Sequence, residues 1–576
     1  MRFTLFFALV FSLYSCGSPT AETPSASNGS APATAPAEYD EEMLQDADEH
    51  APPGYYENLP TEAYNPGEYD ERFRPEYHFT PLEGWMNDPN GMVYYDGEWH
   101  LFYQHFPDSN RWGPMHWGHA ISTDLVNWQH LPIALYPDEK GYIFSGSVVV
   151  DHAQKSPFGK DGEPAMVAMF TYHDIEGEKA GRADYETQGI AYSNDHGRTW
   201  TKYAGNPVIP NRGTKDFRDP KVLWDEKTQA YTMVLAAADH VEFFSSPDLV
   251  NWTYLSSFGK DQPEHFGVWE CPELIPMTVE ETGEEAYVLI VSTGRGNPNG
   301  GGSATYYYTG NWDGKTFTKL KETSYNKPGT KWLDHGRDNY AAVTFADVPD
   351  GDGRTILMGW MSNWQYAQDV PTEGWRSAMT VPRNLRLYND PDFGYRLHQA
   401  PVKELERLRG KKIELGTDYL EDGITTVDLS ELAHPGVFEL NFSVDLHSNS
   451  EALYFTLTDA DNKNFYRFGF DRNMEEGKWI FTSRDLAGLR EFHEDFTSEE
   501  LTFLDRPSNN SVMDIRILFD KTSAEVFLDD GLAVATDIFF PTTDFTYLVF
   551  EVSGGQKDLD GDLGFLLERG DIWELK

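Results

Sequence analysis

The chain has 576 residues, with 94 acidic against 46 basic side chains and a formal net charge of −48 at pH 7. That length exceeds one ordinary domain and asks for more than one hydrophobic core, for which the 14% aromatic content supplies material. So acidic a surface repels nucleic acid, which excludes a polynucleotide partner and leaves neutral or cationic substrates.

In chain order, "MRFTLFFALVFSLYSC" (1–16) sets Arg2 ahead of an apolar run and closes on small residues, the layout of an export signal. The run is too short to span a bilayer. "LYSC" is similar to a bacterial lipoprotein box, with cleavage before Cys16 and acylation of its sulfur. Tyr14 departs from the small or branched residue usual there, so plain secretion is the alternative. The expectation is an exported bacterial lipoprotein, periplasmic or at the cell surface, that meets the membrane only through Cys16. Cys271 is the second of two cysteines, so a lipidated Cys16 leaves no intrachain disulfide. Residues 17–72 are rich in Ala, Pro, Ser and Thr, then in Asp and Glu, without hydrophobic period. They read as a solvated tether.

From residue 73 the chain is strand-rich and repetitive. "STDLVNW" (122–128) returns as "SPDLVNW" (246–252), and looser copies are "SNDHGRTW" (193–200) and "YTGNWDGKTF", ending at Phe317. Apolar pairs of runs begin near "NDPNG" (87), "FSGSV" (144), "FRDPKV" (217), "WECPEL" (269) and "RDNYAAV" (337). Each leads into a hairpin such as "GMVYYDGEWHLFYQHF", with its turn at Asp96-Gly97. Five such units predict a five-bladed β-propeller over 73–400. "APVKELERLRG" has helical spacing at Val402, Leu405 and Leu408 and reads as a linker over 401–410. Beyond it, strands such as "DIRILFD" (514–520) alternate, which predicts a β-sandwich over 411–576. The fold class is all-β.

Innermost propeller strands line one funnel, so residues at their heads share a cavity. Asp88, Asp219 and Glu270 stand at three of these heads. Pro89 and Pro220 restrict Asp88 and Asp219 to set directions, whereas Glu270 lies two residues before Pro272. Converging carboxyls suit glycoside hydrolysis, where one attacks the anomeric carbon and the other protonates the departing oxygen.

"WMNDPNG", "FSGSV", "FRDPKV" and "WECPEL", in this order, resemble glycoside hydrolase family 32, which holds fructan hydrolases and invertases. "SAEVFLDDG" (523–531) looks like the family's sandwich segment. The resemblance implies a five-bladed propeller with a β-sandwich and a β-fructan or fructo-oligosaccharide substrate. It implies Asp88 as nucleophile, Glu270 as acid/base and Asp219 as transition-state stabiliser. In a retaining pair the two reacting carboxyls stand about 5 to 5.5 Å apart. Arg218 is expected to hold Asp219 ionised and position hydroxyls. Asn87, Gln104, Trp112, Phe144, Ser145 and Trp364 are expected to shape the sugar pocket. "GWMSNWQYAQDVPTEGWRSAMTVPRNL" (359–385) looks most like exo-acting fructosidases of levan or inulin, with sucrose a further substrate; an endo-levanase is the alternative.

Two other classes compete. "SNDHGRTW" matches the Asp box of sialidases, but three carboxylates would repel an anionic sugar. A fructan-binding lipoprotein without activity would be expected to lack one of the three carboxylates, and all three are present. No cofactor or metal is expected: "DVPDGDG" (347–353) and "DLDGDLG" (558–564) lack the spacing of a calcium hand.

Overall fold

The computed structural model describes residues 71–576 apart from 263–265, 298–300, 322–329, 350, 391–392, 416–417, 421–422, 447–450, 474–477, 486–491, 497–499, 505–510 and 554–564. The signal segment, Cys16 and nearly all of the tether lie outside the described residues, as does "DLDGDLG".

Five antiparallel sheets follow one another along the chain. Their first strands are Gly84–Tyr95, Tyr142–Val150, Phe217–Asp225, Trp269–Thr278 and Tyr340–Thr344. Each first strand contacts those of the two neighbouring sheets, so the five ring a central funnel and the sheets radiate as blades I to V. A blade is covered on both faces by its neighbours. Its strands therefore read as unbroken apolar runs rather than alternations, as in the fully buried Met166–His173. Val93, Phe102, Trp117 and Phe170 fill the gap between blades I and II. Val167, Ile190, Val222 and Met233 do the same for II and III. Blade V closes on blade I through Ala346, whose N–H donates to the Met92 carbonyl at 2.9 Å. A short strand, Trp375–Arg376, adds in parallel beside Gly84 and Trp85.

The turns follow their residues. Asp96 and Gly97 both have positive φ, +47° and +90°, the geometry of the tight hairpin turn they were expected to make. The repeated "SxDLVNW" joins the third strand of a blade to its outer strand. Asp124 Oδ1 accepts from the N–H groups of Val126 and Asn127 at 3.0 and 2.8 Å, and Asp248 repeats this with Val250 and Asn251 at 3.0 and 2.7 Å. The repeat is thus an Asx turn.

After blade V the linker forms a short 3-10 helix, Lys403–Leu408, with Leu405 buried. A seven-stranded and a six-stranded sheet then pack face to face around Phe442, Phe455, Phe468, Ile515, Ile517 and Phe519. Among the described residues the one α-helix is Ile175–Lys179.

The two domains meet along a polar seam. His335 and Asp338, ahead of blade V, donate backbone N–H groups to Val534 and Thr536 of the sandwich strand Ala533–Ile538 at 2.7 and 3.0 Å. Arg383 lies across the join, 3.0 Å from Asp334 Oδ2 and 2.5 Å from Glu525 Oε2. His78 stands between Asp520 and Glu525 at 2.8 and 2.9 Å. Glu525 belongs to "SAEVFLDDG", so this segment builds the domain interface.

Candidate active site

First strands are interrupted near the funnel mouth by β-bulges. In blade III, Arg218 faces Ala236 and Lys221 faces Val234, so Asp219 and Pro220 stand against Leu235 alone. In blade IV, Glu270 faces Ser292 and Glu273 faces Ile290, which sets Cys271 and Pro272 against Val291. In blade V, Ala341 and Ala342 stand against Gly359. Asp219, Cys271 and Ala341 have φ of +64°, +45° and +52°, a left-handed conformation that costs each on the order of 1–3 kcal/mol. Blade I has two such irregularities, Asn87 and Asp88 against Gln104, then Gly91 and Met92 against Leu101. A bulge bends its strand and re-aims side chains, and here they turn into the funnel.

The register accounts for the offset of Glu270. Arg218, Glu270 and Tyr340 occupy the same place in successive blades, immediately before the left-handed residue, and Asp219, Cys271 and Ala341 occupy the next. Glu270 therefore matches Arg218 and not Asp219, and the three equivalent side chains touch. Arg218 Nη2 donates to Glu270 Oε1 at 2.7 Å, and the Tyr340 hydroxyl donates to Glu270 Oε2.

Asp219 stands at the second position, and Asp88 meets it from the first bulge of blade I. The Cys271 N–H donates to Asp219 Oδ2 at 3.0 Å, and its thiol lies 3.7 Å from the same oxygen and 3.5 Å from Asp88 Oδ2. Ser145 Oγ donates to Asp88 Oδ2 at 2.7 Å and Asn87 Nδ2 to Asp88 Oδ1 at 3.0 Å. Trp85 Nε1 in turn holds Asn87 Oδ1 at 2.7 Å. Asp88, Asp219 and Glu270, from three blades, are thus brought together, with side-chain exposure of 22% at Glu270 and 6% at Asp219.

Charge in this cluster is unevenly compensated. Burial raises the pKa of Glu270; Arg218 opposes that and Asp88 adds to it. Burial also pushes Asp219 up to about 8, against Arg218 and helped by Asp88 and Glu270. The expectation that Arg218 holds Asp219 ionised is thereby corrected. Arg218 Nη1 lies 2.7 Å from Asp216 and 3.2 Å from Glu186, and Nη2 2.7 Å from Glu270, whereas Asp219 is 4.0 Å away. The guanidinium is shared among closer partners. Burial and the surrounding carboxylates keep Cys271 a thiol, its pKa well above the ordinary range.

Aromatic side chains pack beside these strand heads. Trp112 meets Phe144 edge-on at 6.1 Å, and Trp364 stacks on Trp85 at 5.8 Å. Gln104, opposite the Asp88 bulge, donates to the Ile143 carbonyl at 3.0 Å and ties blade I to blade II. Asn87, Asp88, Ser145, Arg218, Asp219 and Glu270 thus stand in or against one cluster, and Gln104, Trp112, Phe144 and Trp364 pack against or beside its neighbours. Cys271 and Tyr340 were missed, although "WECPEL" and "RDNYAAV" contain them, because only the bulge register shows where they point. His173 and Glu186, behind Arg218, carried no sequence signal. Among the described residues no group of three or more His, Cys, Asp or Glu side chains is placed to hold a metal ion.

Comparison with known proteins agrees with this geometry. The glycosyl hydrolases family 32 N-terminal domain matches residues 78–401 and the family's C-terminal domain residues 404–567. A levanase of Bacillus subtilis is 46% identical over 495 residues, covering 85% of this chain and 70% of that protein. The crystal structure of an exo-inulinase from Aspergillus awamori has a TM-score of 0.77 and 32% identity over 89% of this chain and 99% of that one. A fructofuranosidase from Schwanniomyces occidentalis, complexed with fructose, has a TM-score of 0.76 and 30% identity over 88% and 98%.

Proposed function

The chain belongs to glycosyl hydrolase family 32, and from that premise we propose that it releases terminal fructose from levan or inulin, and from sucrose, by double displacement at the funnel mouth. The carrying observation is the meeting of Asp88 and Asp219, each on a bulge, with Glu270, which stands immediately before one, and with Arg218 and Tyr340 holding both oxygens of Glu270.

Asp88 is the nucleophile. Ser145 and Asn87 fix both of its oxygens, so the carboxylate meets the fructosyl C2 in one orientation as the glycosidic bond breaks. Glu270 gives its proton to the departing oxygen. Burial raises its pKa above the ordinary glutamate value, the direction a general acid needs. It then removes a proton from the water that attacks the fructosyl–Asp88 ester, which releases fructose with retention. Asp219, whose pKa burial pushes up to about 8, hydrogen-bonds sugar hydroxyls beside the oxocarbenium-like transition state. Trp112, Phe144 and Trp364 give the sugar its apolar wall. Chromatography over time with levan, inulin and sucrose in separate incubations tests this. Fructose alone from the first sample is expected; a ladder of oligosaccharides from levan would replace exo by endo action, and no product from any of the three would end the reading.

The reading extends to the anchor: the chain is exported and acylated at Cys16, and the segment to residue 72 holds the enzyme away from the lipid. The leader and "LYSC" support it. Labelled fatty acid should enter the wild type and not Cys16→Ala, and label in neither would leave plain secretion.

A further inference from the structure

The contacts around Glu270 continue away from the funnel along groups that the mechanism above does not use. Glu186, fully buried on the strand Glu186–Ser193, has Oε1 3.2 Å from Arg218 Nη1. Its Oε2 accepts from the Phe217 N–H at 2.6 Å, which pins the head of the strand that carries Arg218 and Asp219. Oε1 also lies 3.3 Å from Nδ1 of His173, whose Nε2 is 3.0 Å from Glu178 Oε2. Glu178 is presented by the helix Ile175–Lys179, which Asp174 caps by accepting from Gly177 N at 3.0 Å. The buried His173 ring lies parallel to Phe144, with centroids 4.1 Å apart and planes at 10°.

A neutral imidazole has one N–H, so it can donate to only one of two flanking carboxylates; the imidazolium donates to both. The site thus favours a cation at His173, and its pKa is raised accordingly: burial opposes the charge, but Glu178 and Glu186 outweigh it. The other groups facing this pair are aromatic or shared with the site. Tyr185 meets His173 edge-on at 5.3 Å and its hydroxyl lies 3.4 Å from Asp216, and Tyr142 lies 6.4 Å from His173. Arg218 faces Asp216, Asp219 and Glu270 besides Glu186. Glu270 faces Tyr340 and feels Asp88 and Asp216.

We propose that His173 and Glu186 are positioning residues for the hydrolysis: Glu186 holds Arg218 against Glu270, and the His173 cation holds Glu186 and seats the Phe144 ring at the sugar. The proposal rests on the fructan-hydrolase reading. Its consequences have opposite signs. In Glu186→Gln the amide oxygen still accepts from Arg218 and keeps it in place, but the negative charge that draws on it is gone, so the guanidinium acts more fully on Glu270 and favours its anion. The basic limb of kcat/KM, which reports the general acid, moves to lower pH by on the order of one unit. His173→Gln removes the compensating cation and leaves Glu178 and Glu186 bare, so the limb moves to higher pH. It also removes the ring behind Phe144, and KM for sucrose rises about 2- to 10-fold.

The test is the pH profile of kcat/KM on sucrose for the wild type, Glu186→Gln, His173→Gln and the charge-keeping Glu186→Asp. Opposite displacements in the two Gln variants, with the Asp variant at the wild-type position, are expected. Unmoved limbs with losses confined to kcat would show the residues to be merely structural and overturn the proposal. Carbon-13 carboxyl titration of labelled glutamate, with Glu270 assigned through Glu270→Gln, reads the same displacement in a variant too slow to profile. That titration needs no turnover, so it decides the role of Glu186 even if the wild type releases no fructose, an outcome that would reject the hydrolase reading alone.

Discussion

The funnel mouth and the domain seam bury the same kinds of side chain to opposite effect. At the seam, Asp520 and Glu525 are fully buried, yet His78 and Arg383 outweigh the loss of water and their pKa values fall. The same partners raise His78 to about 9. At the funnel, one guanidinium serves Asp216, Glu186, Glu270 and, at 4.0 Å, Asp219, and the pKa values of Asp219 and Glu270 rise. Burial is common to both; the supply of counter-charge is not. A satisfied cluster locks two domains together, whereas an under-compensated one raises the pKa of its carboxyls, the direction acid chemistry needs. Left-handed Asp219 and Cys271 add backbone strain at the funnel, a cost that the surrounding blades must hold.

Variants can break this contrast in order of expected effect. Asp88→Asn should lower kcat by at least about 10^4-fold with the melting temperature unchanged; appreciable turnover in a pure preparation would remove Asp88 from the nucleophile role. Glu270→Gln should slow sucrose and fructans by roughly 10^2- to 10^4-fold and spare an activated aryl fructoside, whose leaving group needs no proton. Equal losses on both substrates would count against the acid. Arg383→Met should act the other way, leaving Asp334 and Glu525 under-compensated. The protein should lose about 3–5 kcal/mol of stability in urea titration while activity per folded molecule persists in the cold.

The smallest effect separates the regions by pH. Asp219 rises from 3.8 to about 8, so the folded state holds its proton more tightly than the unfolded chain. Its favourable contribution is complete below about pH 4 and is lost as pH climbs through 8. Asp219→Asn should therefore cut activity yet raise stability by about 1 kcal/mol at pH 8, with little gain at pH 4. His78 rises from 6.5 to about 9, so the seam too weakens as pH climbs from 6.5 through 9, and its lowered carboxylates weaken it again in acid. An Asp219→Asn protein no more stable than wild type at pH 8 would contradict the uneven compensation.

Much of this was legible in the sequence because blades are local. A run such as "GMVYYDGEWHLFYQHF" contains two strands and the turn between them, so composition and turn residues identify it without long-range knowledge. Asp-Pro steps marked Asp88 and Asp219 for the same reason. What could not be read is set by contacts across blades. Tyr340 and Arg218 converge on Glu270 only when three separate strands share a register. His173 and Glu186 look like ordinary strand residues until the fold sets them behind Arg218. The seam was hidden likewise: Arg383 and Glu525 lie far apart in sequence, and nothing near either announces its partner.

The central claim is that Asp88, presented by a bulge of blade I, carries the fructosyl group between two displacements. The direct measurement is peptide mass mapping of Glu270→Gln quenched in acid during turnover of an activated aryl fructoside. This variant forms the intermediate without needing the acid and then lacks the base that would discharge it. The account predicts one added fructosyl mass on the peptide that contains Asp88, absent when Asp88→Asn is added. The adduct on Asp219 or another residue, or steady fructose release with no adduct at any quench time, would contradict it.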